Sequence, residues 1–364
     1  MRVLFVGGTG LISSACSVAA ERAGHELWLV NRGRSKLPTA VSEDRILIAD
    51  ATDAVLLRHA LSEMAWDVVV QWVGFRPDHV AHDVETFADA GQYVYISSAS
   101  VYEKPPSSWL ITEQTPTVNP FWDYSQHKIA CERVLRRAHE ESGFPMTIVR
   151  PSLTYGVSQI PVIVGSWARP FTIVERMRRR AKILVPGDGT AIWTLTHNSD
   201  FATGLIGLFG QQSAIGEDFH ITSDEALSWN QIYTLVGEAA GVEPDILHIP
   251  SDALVAADPS QLGSLWGDKS NSTVFDNAKL RSVVPGFAAT TPFADGIRET
   301  IAWFDADPDR QTIDQTANGL WDRLAAIYTD ALRQAAAAGQ AIQPAGPGVK
   351  DSNRPVDDNP PRPS

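Results

Sequence analysis

Tyr124 and Lys128 stand four residues apart in a segment read as one long helix, Tyr124 to Ser142, so their side chains share a helix face. A phenol and an ammonium so placed point to proton transfer. Free tyrosine ionises near pH ~10, too high for a base at neutrality, and a neighbouring ammonium, together with a hydride acceptor that carries positive charge when oxidised, favours the phenolate. Tyr124 could then take the proton of a substrate hydroxyl while hydride leaves the carbon that bears it. The pair alone is a short pattern, and a third residue strengthens it. Ser98 ends the run Tyr93-Val94-Tyr95-Ile96-Ser97-Ser98, a predicted strand whose carboxyl end lies on the ligand-binding edge of a doubly wound sheet. There its hydroxyl could donate to the substrate oxygen; the alternative is a strand-end serine satisfying local backbone.

Hydride needs an acceptor, and the start of the chain offers a place for one. Gly7-Gly8-Thr9-Gly10-Leu11-Ile12-Ser13 follows an apolar run and opens a helix. Gly7 permits a tight turn, Gly10 lets the backbone approach a pyrophosphate, and the helix N-terminus, beginning at Leu11 and Ile12, offers free N–H groups and a positive dipole end. Ser13 holds the third small position, where helix packs on strand. This reads as a nicotinamide dinucleotide site. NAD sites place an acid after the second strand to bond the ribose 2′-hydroxyl, but here the strand ends Leu29-Val30-Asn31-Arg32-Gly33-Arg34. Arg32 and Arg34 stand where a 2′-phosphate would lie, which favours NADP(H) over NAD(H); solvated loop charges are the alternative. Asp50, followed by Ala51, could bond the adenine amine or cap a turn.

Alternating strands and helices must position these residues. Strands are predicted at Arg2–Val6, Glu26–Val30, Arg45–Ala49, Asp67–Val73, Gln92–Ser97 and Phe144–Arg150. Helices are predicted at Leu11–Ala23, Asp53–Met64, Pro77–Ala90 and Tyr124–Ser142. Such alternation gives an α/β fold, a doubly wound parallel sheet of Rossmann type. The dinucleotide domain is expected over 1–155, with the chain able to return to it after 190. A smaller α/β substrate lobe is expected over 156–335 and a disordered tail over 338–364, rich in Pro, Gly, Asp and Asn.

Lys and Arg number 30 against 43 Asp and Glu, a net charge of −13 over 364 residues, which disfavours general binding to nucleic acid or anionic membrane. Two cysteines make no disulfide framework, no apolar run approaches membrane-spanning length, and no secretory leader is evident, so a cytoplasmic setting is expected. His79-Val-Ala-His82-Asp83 has a metal-like spacing but reads better as a polar helix face, and no metal is expected. Arg176-Met-Arg-Arg-Arg180-Ala-Lys182 could grip an anion or RNA but reads better as a solvated face. Of eleven tryptophans, Trp122 and Trp193 could wall a sugar or aromatic pocket.

Together, Gly7-xx-Gly10-xx-Ser13, Ser97-Ser98-Ala99-Ser100-Val101-Tyr102, Tyr124-xxx-Lys128 and Arg150-Pro151-Ser152-Leu153-Thr154-Tyr155-Gly156 resemble the extended short-chain dehydrogenase/reductase family, its epimerase/dehydratase group, over residues 1 to about 305. Gln92 to Lys104, Val284-Pro285-Gly286-Phe287 and Gly296-Ile297-Arg298 resemble the branch that contains chloroplast stem-loop-binding proteins. The resemblance implies Tyr124 as acid/base, Lys128 lowering its pKa and holding the nicotinamide ribose, and Ser98 on the substrate oxygen. It also implies Val73, Gly74, Pro151, Ser152 and Leu153 around the cofactor, and a possible homodimer. Two departures stand out. Ala99-Ser100 replaces the acidic pair of dehydrating members, and Ile192-Trp193-Thr194 lacks the arginine that grips a nucleotide diphosphate. The expected activity is hydride transfer between a nicotinamide and a secondary alcohol or ketone. Epimerisation through transient oxidation of a sugar or nucleotide sugar is the alternative, and RNA binding on the same fold a third.

Overall fold

The computed structural model describes residues 1–33, 41–61 and 64–342. Arg34, one of the two guanidiniums assigned to a 2′-phosphate, lies outside the described residues. The centre of the molecule is a seven-stranded parallel sheet. Its strands are β1 (Arg2–Val6), β2 (Glu26–Asn31), β3 (Ile46–Ile48), β4 (Val68–Gln71), β5 (Gln92–Ile96), β6 (Met146–Pro151) and β7 (Asp218–Ile221), in the order β7-β6-β5-β4-β1-β2-β3. Val3, Phe5, Val68 and Val70 enter one core, with Phe201 and Phe219. Leu4, Val6, Val69 and Tyr95 enter the other, with Leu135 and Ile148. This two-residue alternation between two covered faces explains why the central strands read as unbroken apolar runs.

Helices α1 (Leu11–Arg22), α2 (Ala54–Leu61), α3 (Pro77–Thr86) and α4 (Asp123–Ser142) cover the sheet. Gly24, at φ +78°, ends α1 in the left-handed conformation, and Asp53 caps α2 by accepting from the Val55 and Leu56 N–H groups at 2.9 and 3.0 Å. The chain leaves β1 toward β2 and β3, then crosses back to place β4 on the other side of β1. That reversal opens a crevice at the carboxyl ends of β1 and β4, the place where open α/β sheets take ligands.

β7 brings the chain back to the sheet beside β6, pairing Phe219 with Val149. Most of the chain between these strands and after β7 forms a third core around Tyr155, Val174, Trp229, Ile232 and Phe304. Two short parallel pairs belong to it, Leu153–Tyr155 with Leu195–His197 and Ile183–Pro186 with Ile246–Ile249. The last helix, Gln315–Ile342, packs Trp321 and Leu324 onto this core and continues through 338–342, the first residues assigned to the tail. Residues 343–364 lie outside the described residues. Among the described residues no helix is long and apolar enough to cross a membrane.

Candidate active site

Two cavities open along the carboxyl edge of the sheet. The first, about 250 Å³, is lined by Gly7, Asn31, Arg32, Asp50, Ala51 and Val73, all expected around a dinucleotide. Thr9, Val30, Ala49, Thr52, Phe75 and His79 complete it. Gly7 turns at φ +106°, where a Cβ would meet Trp72 and Val73 at 3.1 Å, so the turn demands glycine. Gly8, at φ +101°, would place a Cβ 2.8 Å from Leu29, which makes it the residue of close packing against the second strand. Ser13, read as the packing position, is buried at 4% exposure and also caps its own helix: its hydroxyl accepts from the Gly10 N–H at 2.9 Å. Gly10, Leu11 and Ile12 form the head of α1, where the Leu11 carbonyl also accepts from Asn198 Nδ2 at 3.0 Å.

Asn31 accepts from the Gly33 N–H at 2.7 Å, while among the described residues its buried Nδ2 has no partner. Buried Nδ1 of His79 likewise has none among them. Unsatisfied polar groups on the wall of a cavity call for a polar ligand. Asp50 Oδ1 accepts from the N–H and hydroxyl of Thr52 at 3.0 and 2.8 Å, and Arg32 projects exposed at the rim. A glycine turn heading a helix, unpaired polar groups and a rim guanidinium fit a dinucleotide. The His79-x-x-His82-Asp83 spacing separates in space. His82 is exposed, and buried Asp83 accepts from Gln71 Nε2 at 2.6 Å and the Tyr93 hydroxyl at 2.7 Å. No group of three metal-ligating side chains occurs among the described residues.

The second cavity, about 290 Å³, is lined by Ser98, Tyr124, Pro151, Ser152 and Leu153 together with Lys104, Trp122, Trp167, Trp193, Asp268 and Lys269. Thus Pro151, Ser152 and Leu153 face the chamber that holds Ser98 and Tyr124. Gly74 serves the lysine: Lys128 Nζ donates to the Gly74 carbonyl at 3.2 Å and to the Ile96 carbonyl at 2.8 Å. The ammonium lies 4.8 Å from the ring of Phe75, on the first cavity, and 5.9 Å from the ring of Tyr124, on the second, so it stands between the two chambers. Ser98 Oγ is 2.9 Å from Ser100 Oγ, which accepts from the Ser125 hydroxyl at 2.8 Å.

The ionisation of the pair differs from the sequence expectation. Burial raises the Tyr124 pKa above its ordinary value, and hydrogen bonding to Ser98 only partly opposes it. Burial also pulls Lys128 down to about 8. The sequence reading has the ammonium and an oxidised, positively charged nicotinamide together favouring the phenolate; in the protein alone, desolvation is the largest influence on both groups.

Behind the site, Glu132 of α4 accepts from Arg150 Nε and Nη2 at 2.9 and 2.7 Å and from the Ser97 hydroxyl at 2.6 Å. Arg150 Nη1 also donates to the Tyr102 hydroxyl at 3.1 Å. The helix that carries Tyr124 is thereby tied to the strand end that carries Ser98. Sequence reasoning passes over Glu132, because nothing local marks a glutamate whose partner lies on another strand. Most of the basic run is the solvated face the sequence suggests, with Arg178, Arg179 and Arg180 exposed, but Arg176 turns inward. Arg176 is buried and donates to Asn318 and Asp322, while Arg178 pairs with Asp305 and Lys182 with Asp245.

Residues 3–222, the whole parallel sheet from β1 to the end of β7, match the NAD dependent epimerase/dehydratase family. A curated relative, the chloroplast stem-loop binding protein of 41 kDa b of Arabidopsis thaliana, is 28% identical over 263 residues, which cover 68% of this chain and 65% of that protein. The chain thus spans just under two thirds of that relative's length. The 2′-dehydrokanamycin reductase of Streptomyces kanamyceticus is 24% identical over 290 residues, 79% of this chain and 80% of the reductase. The fold is shared with the UDP-glucose 4-epimerase of Thermus thermophilus, solved with NAD, at a TM-score of 0.66 and 19% identity, covering 84% of this chain and 99% of that one. By the span of the family match, the chain belongs to the NAD dependent epimerase/dehydratase family.

Proposed function

We propose that the protein is an oxidoreductase that moves hydride between a nicotinamide and a secondary alcohol or ketone, with Tyr124 as acid/base and NADP(H) preferred to NAD(H). The observation that carries this reading is the position of Lys128, fixed by two backbone carbonyls between the crevice at the Gly7 turn and a chamber containing Tyr124 and Ser98. The turn at Gly7 and the head of α1 would hold the pyrophosphate. Asn31 and Arg32 would face the adenosine ribose and its phosphate, and Asp50 with Ala51 the adenine. Bound there, the nicotinamide supplies a two-electron hydride donor or acceptor.

Ser98 acts on the substrate oxygen. It accepts from the Ser100 N–H at 3.2 Å, and Ser125 donates to Ser100 Oγ. The direction that satisfies all three hydroxyls has Ser100 donating to Ser98, which leaves the Ser98 hydrogen for the Tyr124 oxygen in the protein alone and for the substrate oxygen when a substrate is bound. Tyr124 then gives or takes the proton on that oxygen. No carboxylate follows Ser98, so a dehydration step has no acid at that position.

The test is Tyr124→Phe, assayed by nicotinamide absorbance against a panel of ketones and alcohols. Turnover is expected to fall at least ~100-fold with cofactor affinity within a factor of about two. Unchanged turnover refutes the role of Tyr124. Oxidised cofactor that stays bound through purification, with no net redox, identifies the epimerase alternative.

A further inference from the structure

The second cavity holds charges that neither the glycine turn nor the tyrosine explains. Lys104 and Lys269 both line it, and both are buried, at 6% and 4% exposure. They share one carboxylate: Asp268 lies 3.1 Å from Lys269 Nζ and 3.9 Å from Lys104 Nζ. Two ammoniums against one carboxylate leave a positive excess inside a chamber of a protein whose net charge is −13. Buried charge is costly unless compensated, and Asp268 can compensate only one lysine. Burial lowers the Lys104 pKa, Asp268 partly restores it, and Lys269 lowers it further.

The chamber is built to hold these groups in place. Asp268 and Lys269 sit on a π-helical turn, Leu265–Lys269, a rare geometry that often marks functional sites. Asn119 Nδ2 donates to the Gly267 carbonyl of that turn at 2.6 Å and to the Ser100 carbonyl at 2.8 Å, fixing the turn to the serine segment beside Tyr124. Trp122 packs where a Cβ at Gly263 would stand, and Trp229 Nε1 donates to the Lys269 carbonyl at 3.0 Å. The two lysines lie over indoles, Lys104 Nζ 5.7 Å from the Trp193 ring and Lys269 Nζ 5.8 Å from Trp122. Trp193 is 3% exposed, and among the described residues its buried indole N–H has no partner. A buried donor without an acceptor, on the wall of a chamber that also holds two ammoniums, is a place for an oxyanion.

Resting on the oxidoreductase reading for its role, we infer that the second cavity takes a substrate bearing a carboxylate or phosphate, held between Lys104 and Lys269 with its ring beside Trp122. The oxyanion supplies the missing negative charge, and the half-buried indole of Trp122 offers an apolar wall to a sugar-sized ring.

Calorimetric titration of the full chain, without cofactor and in low-chloride buffer, tests this with glucuronate, glucose 6-phosphate and glucose. At least one of the two anions is expected to bind and glucose not; which anion binds separates carboxylate from phosphate. Lys269→Gln and Lys104→Gln should each weaken that binding about tenfold or more. Asp268→Asn should tighten it several-fold, a gain that a damaged fold would not produce. Failure of both anions to bind, or affinity indifferent to all three substitutions, overturns the inference. Because no nicotinamide is present, these results are independent of the Tyr124→Phe assay, whose failure would refute hydride transfer and leave the anion site standing.

Discussion

Removing either partner of the ion pair under the active site should destabilise the protein unequally, and the order follows from the contacts. Arg150 and Glu132 are 1% and 3% exposed, and breaking so buried a pair costs about 3–5 kcal/mol because a charge is left uncompensated. In Glu132→Met the arginine keeps Asp218, 2.6 Å away in an ionic contact not aligned as a hydrogen bond, and the Tyr102 hydroxyl. That places the cost near ~3 kcal/mol. In Arg150→Met the glutamate keeps, among the described residues, only the Ser97 hydroxyl, while Asp218 falls back on Arg136 at 3.0 Å and Lys279 at 3.8 Å. That places the cost near ~5 kcal/mol. At about 2 °C per kcal/mol for a chain of this size, melting should fall by about 6 °C and 10 °C respectively. Circular dichroism melts at neutral pH read both, and the double variant should melt above Arg150→Met alone, since removing both charges leaves neither orphaned. Equal shifts, the reverse order, or a double variant that simply adds the two losses would refute the reasoning. An acid arm adds a sign. Burial raises the Asp218 pKa, but Arg150 and Arg136 outweigh it and hold the group below its ordinary value. Its stabilisation is present above the unfolded pKa and lost as pH falls through the folded one, so the acid sensitivity of the melt should shrink in Arg150→Met.

Two further outcomes are expected. Arg32→Ala should weaken NADPH at least ~10-fold and NADH by less than a factor of about two, measured by fluorescence titration; equal losses would remove the argument for a 2′-phosphate. Gly8→Ala should lower stability by about 1–3 kcal/mol in denaturant melts, because φ is +101° and the new Cβ would stand 2.8 Å from Leu29. A neutral result would mean the turn relaxes without strain.

The parts of the site that are legible in the sequence are those whose geometry is local. A glycine turn between strand and helix, a Tyr and a Lys one helical turn apart, and a serine at a strand end each fix their own placement, and the alternating apolar runs fix the sheet that brings them together. The cation chamber is not legible, because Lys104 meets Asp268 and Lys269 through contacts distant in sequence, among them Asn119 with the Gly267 carbonyl and Trp122 against Gly263. A π-helical turn has no sequence period to betray it. Arg176 reads as a solvated charge because its partners, Asn318 and Asp322, lie on the last helix. His79 pairs with His82 by spacing along α3, yet its side chain meets the first cavity while His82 faces solvent. Spacing gives a side chain's direction on its own helix; what covers that direction is set by tertiary packing.

The same limit applies to the ionisation of Tyr124, and it changes how the base must work. In the protein without cofactor, burial holds the phenol above its ordinary pKa near ~10, while Lys128 loses its proton at about 8. Burial thus acts against the charged form of both groups and opposes the effect of the ammonium on the phenol. The hydrogen bonds of Lys128 to two backbone carbonyls fit a group that orients more than it ionises. A positive charge entering the first chamber would add to the effect of the ammonium, and an opposite charge within ~4–6 Å lowers such a pKa by about 1–3 units. Tyr124 should therefore accept a proton readily only when the nicotinamide is oxidised. Ultraviolet difference titration of the parent minus Tyr124→Phe isolates this one phenol. Its midpoint should lie above pH ~10 without cofactor and with reduced cofactor, and fall by about 1–3 pH units with oxidised cofactor. Equal midpoints with the oxidised and reduced forms would show that the ring charge does not reach the phenol, and the base would then have to be sought elsewhere in the chamber.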